Sequence, residues 1–450
     1  MSQAAPNGAT PVYDLLGIGF GPSNLALAVA VHEHNGGPGA ADPVTAVFLE
    51  RQARFGWHRG MLLSDATMQV SFLKDLVTLR NPTSEFSFLC YLKDRGRLID
   101  FVNHKSFFPL RVEFHDYLEW AAAKVGDLAR YGQEVTRIVP VLCDGRVEAF
   151  DVLVRHNDGG ASSFRARNLV IATGLNPQLP AGVKVSDQIW HSRDLLTNID
   201  RLDGTDPSRF VVVGAGQSAA EVTAFLHERF PTAEVCGVFS RYGYSPADDS
   251  SFANRIFDPA AVDDYFTAPA EVKTMLMNYH RNTNYAVVDA DLIEELYRRS
   301  YQEKVTGIHR LRLLNMSRLT GAREHDGRVA ATVETLTTGE ESVLDADILV
   351  CATGYQPVDP FPLLDDAARY YHRDGFGRAV VQRDYRLQAD ASVSANVYLQ
   401  GGTEHSHGIS ASLLSNAAVR AGEILGSIVG HRTDDRRMPT RVTASAGVPD

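Results

Sequence analysis

The chain has no apolar run near the roughly 20 residues that a bilayer-spanning helix needs, so a membrane span is not expected. Its four cysteines, Cys90, Cys143, Cys236 and Cys351, form no CxxC pair and no cluster. That excludes a dithiol redox centre, a metal ribbon and a disulfide framework, and the four read as small buried hydrophobes. Lysine and arginine total 44 against 55 aspartate and glutamate, a net charge of −11, and no basic block offsets that locally. Nucleic acid is a poor partner for such a chain. The first eleven residues lack the basic flank and apolar stretch of an export signal, which makes the cytoplasm the expected location.

What is present is a soluble globular composition, 44% hydrophobic and 22% charged over 450 residues, too long for a single core. Short β-branched runs ending in glycine turns alternate with amphipathic stretches. This is the pattern of an α/β protein with parallel sheets covered by helices.

Two segments carry the chemistry. In YDLLGIGFGPSNLALAVAVHEH an apolar strand meets Gly17, Gly19 and Pro22 and continues into a helical period, which sets a helix N-terminus where it can face a pyrophosphate. The strand VFLE follows and ends in Glu50, placed to bond ribose hydroxyls. In SRFVVVGAGQSAAEVTAFLHER the same spacing gives Gly214, Gly216 and Ala219, with Gln217 and Ser218 available to phosphate or ribose oxygens. The next strand ends in Ser240 and Arg241, where a guanidinium matches a 2′-phosphate and favours NADPH over NADH. Two dinucleotide sites in one chain imply hydride transfer from NADPH to FAD.

The run NLVIATGLNP is echoed by DILVCATGYQP, each a buried strand entering a glycine turn. The fold expected is two Rossmann-like domains, the NADPH domain inserted in the FAD domain. The FAD domain takes 12–200 and 345–431, and the NADPH domain takes 207–248 and 302–344. Residues 249–301, rich in aromatics, Asn and helix formers, form a small helical substrate region. Residues 1–11 and 432–450 are expected to be flexible tails. His405 and His407 in EHSHG would share one face of a strand, yet no third ligand is specified beyond Glu404, so no metal is expected.

With MQVSFLKDLVTLRNPTSEFSFLCYL, DDSSFANRIFDP, YHRNTNYAVVD, LVCATGYQP and GGTEHSHGISASLLSN in order, the chain resembles the microbial N-hydroxylating flavin monooxygenases, specifically the L-ornithine N5-monooxygenases, over nearly all of residues 12–428. The resemblance implies that NADPH reduces FAD, that oxygen forms a C4a-hydroperoxyflavin, and that the ornithine side-chain nitrogen attacks it. The product would be N5-hydroxy-L-ornithine for a siderophore or nonribosomal peptide, made by a homotetramer. It also implies roles. Lys74 would bind the substrate carboxylate, and Asn254 and Ser415 would be further ornithine ligands. Asn284 would bond both NADP⁺ and substrate. Gln69, the stretch from Glu50 to His58, Val135, Ser412, Leu413 and Leu414 would line FAD, while Gln217 and Arg241 would hold NADPH. Taken singly, Lys74 is an ordinary surface lysine and each Asn a turn residue. Other amines, such as L-lysine or a diamine, fit the same residues, because one methylene is worth only ~1 to 3 kcal/mol in a pocket. A reductase or redox-sensing module with the same two nucleotides is the alternative of another class.

Overall fold

The computed structural model describes residues 11–37 and 39–437. The first sheet is built around Val12–Ile18, paired in parallel with Ala46–Glu50 on one side and Ala161–Ile171 on the other. Ala129–Tyr131 and Asn396–Leu399 extend the parallel part. The strand Ala161–Ile171 is long enough to serve twice: its first half also pairs antiparallel with Arg146–His156, which pairs with Gln133–Cys143. Alternation along the central strands buries both faces. Leu15, Phe48, Val170 and Tyr398 point to one core, and Leu16, Val47, Leu49, Leu169 and Val397 to the other, as a doubly covered parallel sheet requires. Helix Pro22–Gly36 lies on the first of these faces with the last helix, Ala417–Arg437.

The second unit repeats that plan. Its strands, all parallel, run in the order Leu311–Leu314, Glu234–Val238, Arg209–Val213, Ile348–Cys351, Ile189–His191. The helix Gln217–Arg229 follows the central strand, and a three-stranded antiparallel meander spans Ser317–Ala346. A two-stranded ribbon joins the units, Leu175–Pro177 antiparallel to Tyr355–Pro357. The echoed ATG turns are thus the places where the chain crosses between the two sheets.

Three expectations need correction. Ile189–His191 and Ile348–Cys351 pair within the second sheet, although the boundaries 12–200 and 345–431 assigned them to the first. A short buried apolar run joins either parallel sheet equally well, so its partner is set by tertiary packing. The last helix carries order past His431 to Arg437, and Arg432 donates to Asp42 Oδ1 at 2.9 Å. The rest of the expected tails, 1–10 and 438–450, lies outside the described residues. Of the cysteines, Cys236 and Cys351 are buried in the second sheet's core, but Cys143 is exposed and Cys90 only half-buried. Residues 249–301 are helical, with Pro259–Thr267 and Ala270–His280 followed by Ala290–Thr306. Among the described residues no helix is long and apolar enough to cross a membrane.

Candidate active site

Each glycine turn is shaped by the ATG strand beside it. Gly19 has φ +84° and a side chain there would meet the Ala172 carbonyl oxygen at 2.5 Å; Gly214 has φ +144° and would meet the Ala352 carbonyl oxygen at 2.3 Å. Gly17 is closed off differently, by the Phe48 ring. Only glycine permits these close approaches. Helices Pro22–Gly36 and Gln217–Arg229 begin at Gly21 and Gly216 with no capping side chain and no acid in the first turn. Their N-terminal amides and positive dipole ends are therefore free for an anion, and both turns fit a dinucleotide pyrophosphate. The donor set fits FAD and NADPH on that ground.

Glu50, buried, accepts from Phe20 N–H and Gln52 N–H, one on each carboxylate oxygen at 2.8 Å. It ties down the glycine turn while each oxygen keeps a lone pair for a ribose hydroxyl. Ser412 accepts from Gly402 N–H at 3.3 Å. His58 adopts the left-handed conformation, φ 51°. Its ring lies edge-on to Trp57 and Tyr355, and the surrounding protein, with the Arg111 guanidinium, depresses its imidazole to about 4. Val135 sits on strand Gln133–Cys143 at the antiparallel edge of the first sheet, half-buried against the core on the side away from helix Pro22–Gly36. Leu413 and Leu414 are half-buried.

The loop that carries Gln69 and the second glycine turn are joined through Asp289, a residue that sequence reasoning missed. Gln69 and Gln217 donate to the same oxygen of Asp289, Oδ2, at 3.3 and 3.0 Å. Gln217 also donates to Glu221 Oε1 at 3.0 Å and accepts from Asp289 N–H at 2.8 Å. Its amide is thus bonded on both its oxygen and its nitrogen, while Ser218 beside it is half-buried. Burial raises the Asp289 carboxyl above its usual range. The one signal in the sequence was Glu221, a carboxylate one helical turn after Gln217 on a buried face.

Arg241 donates through Nη1 to the Ala286 carbonyl at 2.7 Å. Ala286, at φ 55°, packs with its Cα 3.4 Å from a side chain built at Gly216. The segment holding Asn284 is thereby stapled across the second glycine turn. Next to Asn284, the Tyr285 hydroxyl donates to Glu404, whose carboxyl is raised by burial. Asn254 donates to the Asp249 carbonyl at 2.6 Å, in the short helix Ala253–Phe257. Lys74 Nζ lies 5.5 Å from the Phe257 ring centroid, a cation–π contact. Burial lowers its ammonium and Asp258 partly opposes that. Among the described residues Lys74 makes no ion pair within 4.0 Å. Ser415 is buried at the turn Leu414–Asn416, and the amide of neighbouring Asn416 is buried with neither atom bonded. The structure thus brings Lys74 to the Asn254 segment and the Asn284 segment to Glu404, ahead of Ser412–Ser415.

His405 and His407 lie on a short helix, Glu404–His407, not on a strand. Their Nε2 atoms face different carbonyls, Ala379 at 2.8 Å and Arg383 at 3.2 Å. They are packing residues, since a turn of helix aims them apart.

A sequence model of the family described as L-lysine 6-monooxygenase/L-ornithine 5-monooxygenase matches residues 11–357. The chain is 44% identical over 405 residues to the L-ornithine N(5)-monooxygenase of Burkholderia cepacia, covering 88% of this chain and 90% of that one. It is 39% identical over 437 residues to that of Pseudomonas aeruginosa, covering 96% of each. A solved ornithine N-hydroxylase of Kutzneria sp. 744, with reduced FAD, NADP⁺ and L-ornithine, superposes with a TM-score of 0.90 at 47% identity, covering 94% of this chain and 100% of that one.

Proposed function

The chain belongs to the L-lysine 6-monooxygenase/L-ornithine 5-monooxygenase family, and on that premise we propose that it hydroxylates the side-chain amine of L-ornithine with FAD, NADPH and O₂. One oxygen atom enters the new N–O bond, the other leaves as water, and NADPH supplies the two electrons as it becomes NADP⁺. Bound FAD supplies the redox chemistry that carries those electrons to oxygen.

The observation that carries the substrate is Lys74, half-buried with no ion pair. A desolvated ammonium with no carboxylate in ion-pair contact is costly, and the α-carboxylate of an amino acid would supply that contact. A plain diamine would not. The same surroundings act on the reacting nitrogen, because an alkylammonium near pKa ~10.4 has no free lone pair and dry packing favours its neutral form. In this reading Asn254 and Ser415 hold the rest of the amino acid and Asn284 spans nucleotide and substrate. Ser218 and the free edge of Arg241 hold NADPH. Gly17, Gly19, Pro22, Glu50, His58, Gln69, Val135 and the 412–414 turn line FAD. The FAD and NADPH domains of the proposal follow the two sheets.

A cytoplasmic location goes with this reading, supported by four unpaired cysteines, which suit a reducing compartment. So does a homotetramer, supported by exposed apolar side chains at Ile99, Val102 and Phe107. The product would feed siderophore or nonribosomal peptide assembly. The test is to supply the yellow protein with NADPH and O₂ and to measure hydroxylamine formed per NADPH consumed on ornithine, lysine and putrescine. Coupled turnover on ornithine alone is expected. Peroxide without hydroxylamine on every amine would overturn the assignment.

A further inference from the structure

Among the described residues Arg420 is the one buried lysine or arginine side chain, and it lies beside the first glycine turn. It lies in the first turn of helix Ala417–Arg437 and is 1% exposed. Its guanidinium donates to three neutral oxygens: the Ala411 carbonyl at 2.8 Å, Ser23 Oγ at 3.2 Å and Gln400 Oε1 at 3.4 Å. Among the described residues no carboxylate lies within 4.0 Å of it. Glu423, the nearest acid along its helix, is already held through both oxygens by Arg383, at 2.9 and 3.0 Å.

Two penalties coincide there. A desolvated charge is expensive unless paired, and a cation in a helix's first turn opposes the helix dipole. Loss of a proton cannot relieve either one in a guanidinium. An anion would relieve both, and the contacts show on which side it would sit. Ser23 is the second residue of helix Pro22–Gly36, the helix that starts uncapped at the turn. Its hydroxyl accepts from Arg420 and keeps its own proton to donate outward. Gln400 Nε2 reaches the same place, donating to the Ser23 carbonyl at 3.2 Å and to Asn24 Oδ1 at 2.9 Å. Asn24 in turn donates to the Gly19 carbonyl at 2.7 Å.

We propose that Arg420 is the buried counter-charge of the dinucleotide pyrophosphate at the Gly17–Pro22 turn, positioning it through the Ser23 hydroxyl. This rests on the reading that the turn holds FAD. Arg420 is a positioning residue, so the readout is cofactor affinity rather than turnover.

Apoprotein is titrated with FAD, following flavin fluorescence, and its melting is recorded with and without FAD. Arg420→Gln keeps a donor and removes the charge, whereas Arg420→Lys keeps the charge and loses donors. Loss of a charge-assisted contact should weaken FAD binding by about tenfold or more in Arg420→Gln, with Arg420→Lys recovering most of it. Ser23→Ala, at the half-exposed relay, should weaken FAD by a smaller factor with apoprotein melting unchanged. NADP⁺ affinity at the second turn should not move in any of the three. Equal loss of FAD affinity in the Gln and Lys variants, tracking a lower apoprotein melting temperature, would make Arg420 purely structural and overturn the proposal. So would unaltered FAD affinity in Arg420→Gln together with Ser23→Ala. Wild-type apoprotein that binds no FAD would instead remove the reading beneath it.

Discussion

Arg111 grips Glu221 through both carboxylate oxygens, Nη2 to Oε1 at 2.7 Å and Nη1 to Oε2 at 2.9 Å. The pair joins helix Arg111–Lys124 to helix Gln217–Arg229, which starts at the second glycine turn. Through Gln217 and Asp289 it continues to Gln69. The loop that carries Gln69 is therefore tied to the second glycine turn by a polar chain with a buried ion pair at one end.

That pair makes a prediction about stability. Its side chains are 12% and 5% exposed, so removing one partner strands a buried charge at a cost of about 3–5 kcal/mol, while removing both costs far less. Urea unfolding should show Glu221→Leu strongly destabilised and the double variant Arg111→Met with Glu221→Leu substantially recovered. Strictly additive losses would mean the two residues do not act as a pair.

For the substrate, Lys74→Ala should raise the ornithine KM by about tenfold or more, the scale of a lost charge-assisted contact. NADPH oxidation should survive, with peroxide taking the place of hydroxylamine. Because Lys74 offers a point charge rather than a planar fork, Lys74→Arg should recover part of the affinity. Unchanged ornithine affinity in Lys74→Ala would free the carboxylate from this residue.

The parts legible in the sequence were those whose cause is local. Gly19 and Gly214 announce themselves because no other residue tolerates the turn, and the alternation at Leu15 and Leu16 marks a strand buried on both faces. The ATG echo was visible as a repeat, but not that Ala172 and Ala352 close the glycine turns. Partnerships between distant loops were invisible: Asp289 between Gln69 and Gln217 has no spacing to give it away. Arg420 reads as an ordinary helix charge among small residues, and the packing of Ala417–Arg437 on Pro22–Gly36 makes it buried. The exposure of Cys143 could have been read, since the Asp144–Gly145 pair after it marks a hairpin turn.

Nucleotide choice should follow Arg241. A 2′-phosphate binds a guanidinium through charge-assisted hydrogen bonds, so Arg241→Ala should raise the NADPH KM by about tenfold or more. Since Arg241 also holds the Ala286 carbonyl, the NADH KM should rise too, but less. Steady-state kinetics with both nucleotides checks this, and equal rises would assign Arg241 to the loop alone.

The last prediction concerns acid. His407 is 1% exposed, stacked on Tyr385 at 4.3 Å between centroids and packed near Phe266. With Nε2 facing the Arg383 carbonyl and Nδ1 facing the Ser406 hydroxyl, the ring is satisfied as a neutral tautomer. Burial lowers it from 6.5 to about 4. Above pH 6.5 neither the folded nor the unfolded chain protonates this residue, so it adds no pH dependence. Between 6.5 and 4 the unfolded chain takes up a proton that the folded chain refuses. Stability then falls as pH drops, by on the order of 3 kcal/mol at completion. His58, also depressed to about 4, acts in the same direction. The specific test is therefore a difference of slopes. His407→Phe keeps the aromatic stack but loses two hydrogen bonds, so it should be less stable than wild type at pH 8. Its unfolding free energy should then decline less steeply from pH 6.5 to 4.5, by one proton's worth. Parallel curves would show that His407 protonates freely in the folded chain, and that the contact between the Glu404–His407 turn and Phe266 is open to water.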